Sequence, residues 1–577
     1  MSSHLDFDWL EDKPRRGRGC GCLFGVMVFL AATGVGAGWV ATASPWAPEV
    51  QARWAASPLA GWWERVQALT GTGDRLARLA PADARFYAEF SPSWWNRLWI
   101  RSGALQPGEE SQESIEEARQ AMREQWGVEW EEDIAPWIRP EGGVIGQDQA
   151  WSFWAASGDH GKADAFIGKV RAHLETRGAA TADARHGSAD YVVIRPPNDT
   201  GYALARLAGY VVMAAPPAAM PALIDQVERR GPSLATDNPR YRRVASAWQR
   251  QALGHAYMDL AGLRERPQQI AGAEALGASL SVGTDWLTID LHTAFQLPEQ
   301  ATTDEERTLL PPLDMDRFDR LPSATVVALG GTATPELTAA LAGPLAAGWA
   351  PLGGESSSGW IFSFLLGGIR TLEGPFALGL VASDAEAKDP VGAVLSAQPE
   401  DPVAVARELE QSLAALTSMR TPTLPPALAR IAALPWVQGL VPQAIAVSVE
   451  QHRGETWKTV RAGGQDLAAW TVSEHELVIA GGGEAVKLSQ SEAFEPLDRR
   501  PGFKEARGRM AGEVGAYFYA DGPNVVQLLE ASPFLAAEHV ASARRGLQPL
   551  RAVAAMAEPR IDARGFHHAA FTLLVTP

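Results

Sequence analysis

The stretch DNPRYRRVASAWQRQALGHAYMDL, residues 237–260, has a second version in RRPGFKEARGRMAGEVGAYFYADG, residues 499–522. When Pro239 is aligned with Pro501, each proline is followed two positions later by an aromatic residue, and after a two-residue shift both stretches share an Ala-Tyr pair. Each version predicts a short helix that leads into an apolar strand. The pair therefore predicts that one fold is present twice in the chain.

Further blocks repeat in the same order on both sides of this pair. The matched ranges are 79–98 with 321–341, 140–159 with 372–384, 202–215 with 469–482, and 286–298 with 564–577. A repeat period near 250 residues indicates duplicated domains and not a solenoid. Strands interleaved with helices and hairpins predict the α+β class with largely antiparallel sheets.

The predicted domains are a first α+β repeat at 76–300 and a second at 321–577. Between them, residues 301–320 combine proline with dense acidic charge, which is typical of a linker. This organisation agrees with the length of 577 residues, which is too great for one ordinary core.

The N-terminal segment predicts an anchor. Residues 20–43 form an apolar run without charge, long enough for one transmembrane helix. Basic residues in the stretch 1–19 place that end in the cytoplasm by the positive-inside rule, so the rest is expected to be periplasmic, attached to the bacterial inner membrane. Residues 44–75 are rich in Trp and predict a juxtamembrane stalk. The alternative is a signal peptide cleaved after Ala43.

Charge and cysteine content exclude several classes of function. Lys and Arg number 51 against 68 Asp and Glu, a formal net charge of -17, which argues against binding to nucleic acid. The only cysteines are Cys20 and Cys22, so the chain beyond them has no thiol for a disulfide, a thiolate metal site or a cysteine nucleophile.

Three short motifs resemble a bacterial family known only as domain of unknown function 3352. They are WGVEWEEDIAPWI at 126–138, GPSLATDNPRYRRV at 231–244 and LEGPFALGL at 372–380. The likeness extends over most of 76–577, and it implies an exported or membrane-anchored protein. The second half departs from the pattern at Arg500-Pro501, where the first half has Asn238-Pro239. The resemblance implies no catalytic residue.

Motifs for catalysis, cofactors or metals are weak throughout. His255 opens a predicted strand, but its counterpart in the second copy is Gly515. The segment DMDRFD, residues 314–319, begins like a calcium loop, although Phe318 stands where an oxygen ligand belongs. We therefore assign no catalytic, cofactor-binding or metal-binding residue.

The sequence leaves three hypotheses for function. The first is a non-enzymatic binding or scaffold protein of the envelope, with the membrane reached through 20–43 and an envelope protein or a lipid-like ligand as partner. The second is a carrier of lipid-like apolar molecules. The third is an exported hydrolase whose Asp, Glu, Ser and His side chains come together only in the fold. The sequence does not indicate the oligomeric state.

Overall fold

The computed structural model describes residues 75–90, 109–197, 200–229, 231–249, 252–261, 272–282, 286–296, 307–333, 373–382, 391–418, 446–462, 464–510, 512–530, 544 and 550–575. The chain divides into two compact units, the first comprising Met1–Gln296 with Pro577 and the second Leu297–Thr576. The predicted cytoplasmic end, the predicted membrane span and all but one residue of the predicted stalk lie outside the described residues.

The first unit is built on an antiparallel sheet of ten strands. They are β1 Phe86–Phe90, β2 Ile138–Gln147, β3 Ala150–Ser157, β4 Ala180–His186, β5 Ala189–Arg195, β6 Tyr202–Leu207, β7 Tyr210–Ala215, β8 Gly254–Asp259, β9 Ala273–Val282 and β10 Trp286–Phe295. Their pairings give the spatial order β4-β5-β6-β7-β3-β2-β1-β8-β9-β10.

The second unit has the same design. Its strands are β11 Thr325–Ala333, β12 Gly374–Ala382, β13 Val391–Ala397, β14 Ala446–His452, β15 Glu455–Ala462, β16 Gln465–Val472, β17 Leu477–Gly481, β18 Ala516–Asp521, β19 Leu550–Ala557 and β20 Phe566–Val575. The order is β14-β15-β16-β17-β13-β12-β11-β18-β19-β20. Strand for strand this is the order of the first unit.

Helices cover parts of both sheets. In the first unit they are α1 Glu109–Trp126, α2 His160–Thr176, α3 Met220–Arg229, α4 Leu234–Asp237 and α5 Pro239–Ala245, with a π-helix at Trp130–Ile134 and a 3₁₀ helix at Pro217–Ala219. In the second unit they are α6 Pro402–Ser418, α7 Gly483–Gln490, α8 Pro501–Arg509 and α9 Gly522–Glu530, with 3₁₀ helices at Met315–Arg320 and Leu497–Arg499.

Equivalent helices carry equivalent aromatic residues into the two cores. Tyr241 on α5 is 1% exposed, and its ring lies 5.6 Å from that of Tyr87 and 5.5 Å from that of Tyr257. Phe503 on α8 is fully buried, and its ring lies 5.7 Å from that of Tyr517. Tyr241 and Phe503, which align when the two prolines are matched, therefore fix their helices to the sheets. Edge-on aromatic contacts add to the stabilisation that burial of the rings provides.

The fold class predicted from the sequence is wrong in one respect, the N-terminal transmembrane helix. Within the described ranges, no helix combines the length and the apolar character needed to cross a membrane. An apolar run satisfies the length requirement for a span, but length alone does not establish a helix. The fold that the structure supports is dominated by antiparallel sheet.

Candidate functional site

In the first unit, four polar side chains stand in one row across neighbouring strands. Glu89 on β1 pairs with His255 on β8, His255 pairs with Ser279 on β9, and Ser279 pairs with Asp290 on β10. Directly paired residues of an antiparallel sheet project from the same face. The fold therefore brings a Glu, a His, a Ser and an Asp together from four separate parts of the sequence.

The segment after α5 lies over this row. The Trp248 ring stacks on the His255 ring, with the centroids 4.6 Å apart and the planes 17° from parallel. Nε2 of His255 lies 3.2 Å from the carbonyl oxygen of Gln249, which can only accept a hydrogen bond. At the far end of the row, the hydroxyl of Tyr87 donates to Glu89.

Gln249 joins the other end of the row to the same segment. Its Nε2 donates to Oδ2 of Asp290 over 2.6 Å, and its Oε1 accepts from the hydroxyl of Ser281 over 2.7 Å. Asp290 is 6% exposed, so the amide supplies a hydrogen bond that a buried carboxylate requires. These contacts tie the segment that follows α5 to the last two strands of the sheet.

Burial decides what this row can do chemically. The side chain of Ser279 is fully buried, and Glu89 is only 7% exposed. A nucleophilic serine must touch its substrate, and the Ser279 hydroxyl has neither access to solvent nor a hydrogen-bond partner in the described part of the chain. The residue types of a hydrolase therefore meet here, but the row does not form a working acyl-transfer site.

The second unit does not repeat the row. Counting along the paired strands from Tyr257 and its equivalent Tyr517, Gly515 stands for His255 and Glu558 stands for Ser279. Glu558 lies beside His568, with 3.2 Å between Oε1 and Nδ1, and its carbonyl oxygen lies 2.8 Å from Nε2 of His567. The two units thus share their aromatic core and differ in their polar residues.

The opposite face of the same four strands is largely apolar in both units. In the first unit, this face carries Phe86, Ala88, Phe90, Ala256, Met258, Leu276, Ala278, Leu280, Ile289 and Leu291, all of them partly buried. In the second unit, it carries Val327, Leu329, Ala516, Phe518, Val553, Ala555, Ala557, Ala569, Phe571 and Leu573, again all partly buried. We call these the first and second apolar faces. Strand pairing also places one polar residue, Thr293, on the face of the first unit, where it pairs with Leu276.

The calcium-like segment has a structural role. Asp314 precedes the 3₁₀ helix at 315–320, and its Oδ1 accepts a hydrogen bond from the backbone nitrogen of Asp316 at 3.0 Å. Phe318 is fully buried, with its ring 5.4 Å from that of Tyr517. Over the described ranges, no group of three or more His, Cys, Asp or Glu side chains is placed to hold a metal ion.

Comparison with known families gives a match over the first unit. Residues 73–285 match the model of a family described as a protein of unknown function, DUF3352. Over this range the chain is similar to the DUF3352 family. The motifs at 126–138 and 231–244 lie inside the DUF3352 match, so the resemblance is confirmed there, whereas the motif at 372–380 lies beyond it. The match does not show the export or membrane anchoring that the resemblance implies.

Comparison with solved structures gives only weak likeness to this chain. Two crystal forms of TP0453, forms III and I, both give a TM-score of 0.24 and share 12% and 10% sequence identity. Each covers 39% of this chain, which in turn covers 82% and 79% of theirs. Scores at this level support no statement about fold or function. A search of curated proteins finds no match.

The sequence identified only part of the polar row of the first unit. It singled out His255 and then discounted it, because Gly515 occupies the equivalent position. Glu89 and Ser279 were missed, since each lies in a mainly apolar strand with no recognisable motif around it. Alternation in FYAEF and ALGASLSV indicates that both side chains point to one face, but only strand pairing shows that the two faces are the same.

Proposed function

We propose that the chain is a non-enzymatic binding protein that takes lipid-like, apolar ligands on its two apolar faces. The observation that carries this proposal is the repetition of such a face in both units. An antiparallel sheet with one solvated face normally alternates apolar and polar residues, so a second apolar face requires an apolar cover. Acyl chains meet that requirement, because they offer no polar group that needs a hydrogen bond.

Divergence between the units supports the proposal further. The polar row is present in one unit and replaced in the other, and the helix-anchoring Asn238 is replaced by Arg500. The apolar faces nevertheless keep only Ala, Val, Leu, Ile, Met and Phe at all of the positions listed above. The aromatic core beneath α5 and α8 is needed for folding. A second apolar face in contact with water raises the free energy of the folded chain, and a bound ligand would remove that contact.

The enzymatic alternative has less support. A hydrolase requires a nucleophile and a base that face a substrate, and the full burial of Ser279 prevents this at the polar row. A scaffold protein would use the same apolar faces, but to bind an envelope protein instead of a lipid-like ligand. Direct binding of an acyl probe distinguishes the two.

Titration of the delipidated full chain with the fluorescent fatty acid cis-parinaric acid tests the proposal. We expect saturable binding that the double variant Ala278→Glu, Ala555→Glu abolishes, because each substitution places a carboxylate in the middle of one face. Ala182→Glu, on the exposed part of β4, makes the same chemical change elsewhere and should bind as the wild type does. Wild-type protein without saturable binding, or equal binding by the double variant, would reject the proposal.

A further inference from the structure

Among the residues that the structure describes, β14 is the outermost strand of the second unit. β14 pairs with β15 over all seven residues from Ala446 to His452 without a register shift, and the described residues place no strand on its other side. Val447 is 39% exposed and Val449 is 63% exposed, and both lie on one face of the strand. Edge strands of stable monomers usually carry proline, lysine or a bulge, and β14 has none of these.

The first unit shows the same strand in a protected form. β4 also has seven residues, and both β4 and β14 end in a histidine that pairs across a two-residue turn. Counted from these histidines, Asp183 occupies the position of Val449. Asp183 is held by Arg171 on α2, with 2.5 Å between the charged atoms. At this position one copy of the fold has a charge and the other has an exposed valine, whereas the charge of β14, Glu450, lies on the other face of the strand and pairs with Arg461.

We infer that β14 is a self-association edge that pairs antiparallel with β14 of a second copy of this chain. A two-fold axis through Val449 keeps all seven residues paired. In that register Val449 pairs with Val449 of the second copy, and Glu450 pairs with Ser448 of the second copy. Within a single strand, the Ser448 hydroxyl donates to Glu450 at 2.9 Å. An axis through Glu450 would bring two carboxylates together, so the charge pattern disfavours that register.

Solution mass of the full chain tests this inference by analytical ultracentrifugation across a range of protein concentrations. We expect a monomer–dimer equilibrium in the wild type and a dissociation constant at least about tenfold higher for Val449→Asp, since the aspartates would face each other across the axis. The variant gives β14 the residue that β4 carries. Val403→Asp on α6 is the matched control, because Val403 is an equally accessible valine, 67% exposed, outside the edge.

Two outcomes would overturn the inference. They are a wild-type chain that stays monomeric at about 100 µM, and a Val449→Asp variant that dimerises as the wild type does. Circular dichroism of both valine variants checks that they fold.

Disulfide trapping tests the register separately. In a Cys20→Ser, Cys22→Ser background, Val449→Cys should form an intermolecular disulfide across the axis. Val447→Cys should not, because position 447 would face 451 of the other copy and its own counterpart would lie several residues away. Efficient trapping through position 447 and none through 449 would contradict this register.

Discussion

Gly277 on β9 shows how closely α5 approaches the sheet. A Cβ atom at this position would lie 1.9 Å from Cγ1 of Val244 and 2.8 Å from Nε1 of Trp248. The equivalent positions in the second unit hold Met556 and Ala506, both buried, so the larger residue is on the helix in one copy and on the strand in the other. The two units therefore reach similar packing with opposite distributions of volume.

We expect Gly277→Ala to lower the free energy of unfolding by about 1–3 kcal/mol, because the added methyl group overpacks this contact. Adding Val244→Ala should recover part of the loss, as Ala506 permits Met556 in the other copy. Gly168→Ala on α2 is the control, since no atom lies within 4 Å of its Cβ position and alanine favours a helix. Urea denaturation measures all four proteins. A Gly277→Ala variant as stable as the wild type would contradict the close approach.

Asp319 predicts a pH dependence of stability. Burial raises the pKa of its carboxyl group, and the nearby carboxylates of Asp498, Asp316 and Asp314 raise it further, while Arg507 opposes them. Because the folded pKa lies above the unfolded value of about 3.9, the folded state holds this proton more tightly. The resulting stability is present at pH values below 3.9, approximately, and is lost as the pH rises through the folded pKa.

Asp319→Asn should therefore be more stable than the wild type at pH 7, and this advantage should shrink as the pH falls towards 3. Denaturant titrations of both proteins at pH 3, 5 and 7 measure the difference. Asp190→Asn serves as the control because Asp190 is largely exposed, and its effect should vary little over the same range. An advantage of Asp319→Asn that is the same at every pH would show that the carboxyl does not titrate as described.

At the level of elements, α5 and α8 are fixed to their sheets by different residues at the same position. Oδ1 of Asn238 accepts from the backbone of Tyr241 at 2.8 Å, and its Nδ2 donates to the carbonyl oxygen of Ala82 at 2.8 Å. Arg500 instead donates to the carbonyl oxygens of Ser323 at 2.8 Å and Thr325 at 2.9 Å. Both residues join the start of the helix to the turn before the first strand of the unit.

The arginine and its acidic partner both differ in position between the units. In the first unit, Arg240 follows the proline and lies 3.2 Å from Asp259 at the end of β8. In the second unit, Arg500 precedes the proline and lies 2.8 Å from Asp521 at the end of β18, and both side chains are mostly buried. Because Asp259 aligns with Tyr519, Arg500 replaces the helix cap with an ion pair to a different aspartate.

We expect Arg500→Asn to destabilise the chain by about 2–4 kcal/mol, because it leaves the mostly buried carboxylate of Asp521 without its cation. Arg500→Lys keeps a cation beside Asp521 and should lose less stability than Arg500→Asn does. Thermal and urea unfolding of the two variants measure this. If Arg500→Lys is as unstable as Arg500→Asn, the positive charge at position 500 is not what stabilises Asp521.

The sequence predicted individual strands and hairpins better than it predicted which distant strands pair with each other. The hairpin at 202–215 is β6 and β7, with the turn residues Ala208 and Gly209 both at positive φ, as the short polar break in an apolar stretch indicates. The pairing of β1 with β8 could not be predicted, because it joins segments about 170 residues apart and no local pattern encodes that choice. The polar row depends wholly on such pairings, which is why its members looked unrelated in the sequence.

At the scale of the whole molecule, the duplication acts as an internal comparison. Positions that the two units share, such as Tyr257 and Tyr517, are buried in both and maintain the fold. Positions that differ, such as Asp183 and Val449, change a surface and leave the strand order intact. Functional differences between the units are therefore expected at edges and polar clusters, and common function at the apolar faces.

Two apolar faces in one chain predict two ligand sites. If acyl ligands occupy these faces, delipidated protein should bind about two equivalents of cis-parinaric acid, and each single variant should leave about one. Ala278→Glu would remove the site of the first unit and Ala555→Glu that of the second, because the substituted positions lie in different units. Native mass spectrometry and fluorescence titration count the sites independently. Loss of both equivalents in either single variant would mean that one site exists and that the faces do not act separately.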